Sequence, residues 1–105
     1  MEMLEQKGRR LVVHLPSEVD HHHTEAIRAA VDHEIRIQPV EELEFDFAGT
    51  LFMDSAGIGL LVGRYQIMQA FHGRVFVSHV NERIDRMMEL SGIENYIRLE
   101  KEESR

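Results

Sequence analysis

The sequence of 105 residues predicts an α/β fold with a mixed, mostly parallel sheet of four to five strands. Two observations predict this fold. Short stretches alternate apolar and polar side chains with the period of a strand, and longer segments between them repeat apolar residues every three or four positions, as helices do. The predicted order is β-β-α-β-α-β-α-β, in one domain over residues 1–105. Strands separated by helices favour right-handed crossovers and therefore parallel neighbours, whereas the first two strands form an antiparallel hairpin.

The hairpin comes first. Residues 3–6 form a weak strand, Gly8 supplies a turn residue that can take a positive φ, and residues 10–15 alternate cleanly. Pro16 ends the second strand because proline lacks the N–H that a ladder requires.

A long helix is then predicted from Asp20, a good N-cap, to about Ile35, because apolar residues recur every fourth position. Pro39 ends this unit. Residues 43–47 alternate apolar and acidic side chains, which is typical of a strand with one wet face. The alternation indicates that one face of the sheet is covered more thoroughly than the other.

The second helix is predicted to begin at Asp54 or Ser55 and to reach about Gln69, with Gly73 just beyond its end. Its buried stripe is predicted to contain Ile58, Leu61, Val62, Tyr65 and Met68.

The last elements follow in the same way. Residues 74–79 form a strand, Asn81 caps a third helix that Gly92 terminates, and residues 97–99 form a short strand. Residues 101–105 are expected to be a polar tail. The buried stripe of the third helix is predicted to contain Ile84, Met87, Met88 and Leu90.

Composition excludes several functions. The chain has no cysteine, so disulfides, thiolate metal sites and cysteine nucleophiles are ruled out. Its 12 basic and 19 acidic residues give a net charge of −7, which argues against nucleic acid and anionic membranes as partners. No apolar run approaches the roughly 20 residues of a membrane span, and Met1 is followed directly by charged residues, with no signal peptide. We therefore expect a cytoplasmic protein.

The most informative segment, residues 52–59, joins a strand to the start of the second helix. It places a hydroxyl among unpaired backbone N–H groups. One interpretation is a plain helix cap at Asp54 or Ser55. Another is a phosphorylation site at Ser55, because the helix end can accommodate the charge of a phosphate without unfolding the domain.

A third interpretation makes Ser55 a catalytic nucleophile. The placement resembles a nucleophile elbow, but Met53 stands where that motif has glycine. His14 and His79 are conceivable bases, although no carboxylate is recognisably paired with either one in the sequence.

Three glycines, Gly57, Gly59 and Gly63, lie inside the second helix. Glycine costs a helix roughly 1 kcal/mol relative to alanine, so these positions call for close approach of another surface. That surface is either the sheet or a docking partner. In the second case, exposed side chains of Ile58 or Leu60 would be contact residues.

The run of histidines at residues 21–23 does not predict a metal site. Ligands on a helix are expected four residues apart, and only His21 meets a suitable residue at that spacing, Glu25. We therefore expect neither a metal nor a cofactor.

Residues 17–22, 52–59, 63–65 and 90–93 together resemble the STAS domain, over nearly the whole chain. The Met-Asp-Ser-x-Gly motif at residues 53–57 is typical of the phosphorylatable branch of that family, the anti-sigma factor antagonists. The Asp-His-His and Gly-Arg-Tyr segments favour its sporulation members over its general-stress members.

The resemblance implies a partner-switching regulator that is not an enzyme. In the family, the dephosphorylated antagonist binds an anti-sigma factor that is also a serine kinase with bound ADP or ATP, and so releases the sigma factor. The kinase phosphorylates the motif serine, and a serine phosphatase restores it. Carried onto this chain, the phosphoacceptor is Ser55. The implied docking residues are Glu18, Asp20, Asp54, Gly57, Ile58, Gly59 and Leu60.

The sequence departs from the family pattern at several positions, one of which is an extra histidine within residues 21–23. Ala56 replaces a frequent second serine or threonine, which leaves one acceptor, and Ser17 stands where glycine is usual. The alternatives are a general-stress antagonist or a ligand-sensing STAS module and, from another class, a weak nucleotide hydrolase. A hydrolase should lose turnover in Ser55→Ala, whereas a binding switch has no turnover to lose.

Overall fold

The computed structural model describes residues 3–100, and for residues 99 and 100 it describes the backbone alone. The strands are β1 (Leu4–Lys7), β2 (Arg10–His14), β3 (Glu18–Val19), β4 (Glu42–Asp46), β5 (Phe52–Met53), β6 (Arg74–Ser78) and β7 (Arg98–Glu100). The helices are α1 (Thr24–Ile37), α2 (Ser55–Ala70) and α3 (Glu82–Ser91), followed by a short 3-10 helix (Ile93–Asn95). The predicted polar tail at residues 101–105 lies outside the described residues.

The main sheet has the strand order β1-β2-β4-β6-β7. Strands β1 and β2 are antiparallel, and every other neighbouring pair in this sheet is parallel. Gly8 takes a φ of 62° at the hairpin turn. The prediction of a mixed, mostly parallel sheet that starts with a hairpin is therefore confirmed.

The hydrophobic core lies on the face of this sheet that the helices cover. Leu11, Leu43 and Val75 are register partners across the three central strands, and all three are buried in this core. Residues one position along the strands point to the opposite face, where Val12 and Phe76 are buried outside the main core. Ion pairs cover that second face, including one between Arg10 and Glu42. The uneven coverage predicted from the alternation is confirmed.

Residues 18–19 and 52–53 form a separate two-stranded parallel sheet, which the sequence pattern does not predict. Strands of two residues are too short to show an alternating pattern. The prediction that α1 starts at Asp20 is also wrong, because α1 begins at Thr24 with His23 as its N-cap residue. The carbonyl oxygen of Asp20 accepts hydrogen bonds from the backbone N–H groups of His23 and Thr24, which forms a turn before the helix.

Two predicted buried stripes need correction. In α2 the buried residues include Leu60 and Arg64, while the predicted stripe residues Ile58, Val62 and Tyr65 are only half-buried. The apolar residues of this helix lie on all of its sides, so their spacing does not specify which side faces the sheet. In α3, Ile84 and Met88 are buried as predicted, whereas Met87 is half-buried and Leu90 is 80% exposed.

The described part of the chain contains no helix long and apolar enough to cross a membrane.

Candidate functional site

Ser55 is the first residue of α2, and its side chain is exposed. Asp54 precedes it as the N-cap residue, and the Asp54 Oδ1 atom accepts a hydrogen bond of 2.8 Å from the backbone N–H of Ala56. The sequence left the cap open between Asp54 and Ser55, and the structure assigns it to Asp54. The Ser55 hydroxyl is therefore not the group that caps the helix.

The small sheet of β3 and β5 brings two loops together beside Ser55. Glu18 is the register partner of Phe52, and Val19 is the partner of Met53. The backbone N–H of Asp54 continues the ladder by donating to the carbonyl oxygen of Val19 at 3.2 Å. Because the two strands are parallel, the segments that follow them leave the sheet at the same edge.

The histidines that follow β3 hold the two carboxylates of this edge in place. The backbone N–H and the ring Nδ1 of His21 lie 3.3 and 3.2 Å from Asp54 Oδ2. Asp20 Oδ1 accepts a 3.1 Å hydrogen bond from the backbone N–H of His22 and lies 2.6 Å from Nδ1 of His23. Asp20 is only 9% exposed, so it supports the loop more than it presents a charge to solvent.

These hydrogen bonds favour the ionised carboxylates. The hydrogen bond with His23 lowers the pKa of Asp20, against a smaller opposing effect of desolvation. For Asp54, desolvation is the largest single effect and alone would raise the pKa. The hydrogen bonds from His21 and Ala56 together outweigh it and hold the pKa of Asp54 below its ordinary value.

One group of side chains could share a cation. A carboxylate oxygen of Glu18, one of Asp20 and a ring nitrogen of His23 lie within 4.8 Å of one another. The spacing rule used on the sequence missed this group, because β3 rather than a helix supplies Glu18. The close contact between Asp20 and His23 already satisfies two of the three groups without an ion.

The helix glycines differ in what surrounds them. A methyl group on Gly57 would lie 2.3 Å from Cγ of Met53, so this position requires glycine for close packing on β5. A methyl group on Gly59 or Gly63 would meet no atom within 4 Å. The expectation of close approach within the chain is therefore correct for one of the three glycines.

The proposed contact residues on α2 also differ in accessibility. Gly59 is exposed and Ile58 is half-buried. The expectation that Leu60 is exposed is wrong, because only 4% of it is accessible and it packs in the core. Gly57 is buried as well, so both residues offer a partner much less surface than Gly59 does.

Two large apolar residues before Ser55 are exposed and were not recognised from the sequence. Leu51 is 74% exposed and Phe52 is 43% exposed, whereas Met53 is buried. The alternation between Phe52 and Met53 could have indicated an outward Phe52, but a two-residue strand gives too short a pattern.

The two candidate bases for a catalytic serine are paired with a carboxylate that sequence reasoning did not find. The ring Nδ1 atoms of His14 and His79 lie 2.9 and 2.8 Å from the two oxygens of Asp46. His14 and Asp46 point to the face of the sheet opposite the helices, since they share it with Val12. Ser55 belongs to a helix on the other face, so this arrangement does not support the nucleophile interpretation.

Comparisons with known proteins all indicate the same family. The STAS domain family model matches residues 2–105. An anti-sigma F factor antagonist of Paenibacillus polymyxa is 32% identical over 83 residues, covering 79% of this chain and 71% of the relative.

Two solved structures are similar at 31% sequence identity, and both cover 94% of this chain. The first is the anti-sigma factor antagonist SpoIIAA in its unphosphorylated form, with a TM-score of 0.83 over 87% of that chain. The second is the Bacillus cell fate determinant SpoIIAA in the phosphorylated form, with a TM-score of 0.75 over 90% of that chain. The same architecture is therefore known in both phosphorylation states of a relative.

Proposed function

This chain belongs to the STAS-domain family of anti-sigma factor antagonists, and from that premise we propose that it is a phosphorylation-controlled switch. In the proposed cycle its unphosphorylated form binds an anti-sigma factor that is also a serine kinase, with bound ADP or ATP, and the sigma factor is released. Phosphorylation of Ser55 ends the binding, and a serine phosphatase restores it. Its family consists of non-enzymatic regulators, in agreement with the expectation from the sequence.

The observation that carries this proposal is the exposed Ser55 directly after the Asp54 cap. A kinase needs access to the hydroxyl, and a helix start tolerates the product. Backbone N–H groups of the first turn and the positive end of the helix dipole offset the phosphate charge. The relative solved in a phosphorylated form supports the same modification in this chain.

The proposed docking surface consists of Glu18, Asp54, Ile58 and Gly59 around Ser55. These residues are exposed or half-buried, and two of them are acidic. An acidic surface suits a partner with basic residues around its binding site. Asp20 acts as a support for the loop, and the buried Gly57 and Leu60 shape the helix from within.

Phosphate acts on the interface rather than on the fold. Two unit charges about 6 Å apart interact by about 3 kcal/mol at an effective dielectric constant of about 20, which is on the order of a hundredfold in affinity. Phosphoserine at residue 55 would face the nucleotide phosphates of the kinase. That encounter is repulsive, and the added bulk increases the effect.

Phosphorylation mapping tests the proposal. The chain is incubated with ATP and the candidate anti-sigma kinase encoded in the same genome, and the phosphate is located by mass spectrometry. We expect one phosphate, on Ser55, and none in Ser55→Ala. Phosphate on another residue would move the site. If the wild-type chain neither binds this kinase nor is phosphorylated by it, the proposed partner is wrong.

The anti-sigma F relatives favour the sporulation type over the general-stress type.

A further inference from the structure

The exposed pair Leu51 and Phe52 lies between two buried residues, Thr50 and Met53. Thr50 is buried, its hydroxyl donates to the carbonyl oxygen of Pro16 at 2.8 Å, and its carbonyl oxygen accepts from the side chain of Asn81 at 3.3 Å. On the other side, Met53 is buried in the core. The two apolar side chains are therefore held outward by anchored neighbours on both sides.

The backbone of the pair is ordered as well. The N–H groups of Leu51 and Phe52 both donate to the carbonyl oxygen of Ser17, at 2.8 and 3.1 Å. A surface that is already ordered loses less conformational entropy when a partner binds. Side chains on such a backbone are suited to be rigid contacts.

Two acidic residues lie beside this pair. Glu18 is exposed and is the register partner of Phe52, and Asp54 follows Phe52 by two residues. An apolar centre with a charged rim is the usual anatomy of a protein interface, and large apolar side chains at the centre carry much of the affinity.

The pair lies within reach of any interface centred on Ser55. Four residues of extended chain span at most about 14 Å between Leu51 and Ser55. A standard interface covers about 800 Å² per partner, a disc of roughly 16 Å radius. An interface of standard area that is centred on Ser55 therefore extends far enough to reach Leu51 and Phe52.

We propose that Leu51 and Phe52 form an apolar anchor, through which this chain docks into an apolar depression on the anti-sigma factor that is rimmed by lysine or arginine. This inference rests on the proposed function and adds to it the residues that supply most of the affinity. It also explains the position of the phosphoacceptor, because a charge at Ser55 then appears at the edge of an apolar contact that excludes water.

Two serine substitutions test the anchor, with matched controls on the same chain. Leu51→Ser and Phe52→Ser remove the apolar side chains. Phe71→Ser and Leu90→Ser make the same change at exposed positions elsewhere. Phe71 lies at the far end of α2, about 24 Å along the helix from Ser55.

The measurement is calorimetric titration of each variant with the nucleotide-loaded anti-sigma factor. We expect each anchor substitution to weaken binding at least about tenfold, as loss of an interface hot spot does. Each control should bind within about twofold of the wild type. Circular dichroism and thermal unfolding establish that the variants fold. If Phe52→Ser does not fold, the test rests on Leu51→Ser.

The outcomes separate the anchor from the proposed function. If the wild-type chain does not bind the anti-sigma factor, the proposed function fails. If it binds and both anchor variants bind equally well, the anchor is wrong while the proposed function stands. Loss of self-association in the anchor variants, with unchanged binding to the anti-sigma factor, would assign this patch to a second copy of the chain and would also overturn the anchor.

Discussion

His21 and Asp54, which are 33 residues apart in the sequence, meet at the candidate site through two contacts on one oxygen. The other Asp54 oxygen caps α2 at Ala56. One carboxylate thus ties the loop after β3 to the helix that carries Ser55. A charge added at Ser55 therefore lies next to the Asp54 carboxylate, both oxygens of which are already held by hydrogen-bonding partners.

Ser55→Asp should bind the kinase more weakly than the wild type. It places a carboxylate where phosphate would lie, although with less charge than phosphoserine. Ser55→Ala should bind at least as well as the wild type and should stay bound when ATP is present. Calorimetric titration against one kinase measures both, and equal affinities for all three proteins would contradict the switch.

Glu18→Lys should weaken kinase binding and leave the free energy of unfolding within about 0.5 kcal/mol, as for other surface positions. The same charge reversal at Asp20 should destabilise the chain. Its carboxylate is mostly buried and receives hydrogen bonds from the loop before α1. Thermal unfolding of the two variants separates these roles, and similar stability of both would contradict the support assigned to Asp20.

Gly59→Ala should stabilise the fold by about 1 kcal/mol, because alanine favours a helix and the added methyl group meets nothing within the chain. Gly63→Ala should do the same and serves as the control, since it lies one turn further from Ser55. Only Gly59→Ala should change the affinity for the kinase. Equal affinities of the two variants in titrations would remove Gly59 from the docking surface.

His14 should make stability depend on pH. Its Nδ1 and Nε2 atoms lie 2.9 and 2.8 Å from carboxylate oxygens of Asp46 and Glu5, so the doubly protonated ring can donate a hydrogen bond to each of them. The hydrogen bond to Glu5 is the largest cause of the raised pKa of His14, with desolvation opposing it and Asp46 adding to it. The hydrogen bond from His14 likewise lowers the pKa of Glu5.

A raised histidine pKa adds stability that is fully present below the ordinary value of about 6.5 and is lost as pH rises through the folded value. The lowered pKa of Glu5 adds stability that is lost as pH falls through its folded value. The pair therefore contributes most between about pH 4.3 and 6.5. His14→Gln should flatten the decline in denaturation midpoint above pH 6.5. The control His33→Gln, at an exposed position on α1, should retain it.

Asp32→Ala should cost about 3 kcal/mol of unfolding free energy, because it leaves the buried Arg64 guanidinium without its carboxylate. The two groups approach to 2.9 Å between Nε and Oδ1 and join α1 to α2, although not with hydrogen-bond geometry. Adding Arg64→Met should recover most of the loss, since the unpaired charge is then gone. Urea titrations measure both, and a double variant no more stable than Asp32→Ala would contradict the ion pair.

The sequence determined the order of the long elements, because each carries its own local signal. Gly8 marks the hairpin turn, Asn81 and Gly92 delimit α3, and the acidic alternation of residues 43–47 marks β4. The acceptor Ser55 is equally a local inference, since it depends on a motif of adjacent residues and on the start of one helix.

Tertiary structure decided what depends on contacts between distant segments. Strand β3 pairs with β5, a turn at Asp20 then precedes α1, which begins only at Thr24, and Phe52 points outward. Neither strand is long enough to show a period in the sequence. The spacing of apolar residues in α2 does not show which side of the helix faces the sheet, because its apolar residues lie on all sides. Packing buries Leu60 and exposes Gly59. The surface that a partner can touch is set by this packing, since accessibility depends on neighbours from elsewhere in the chain.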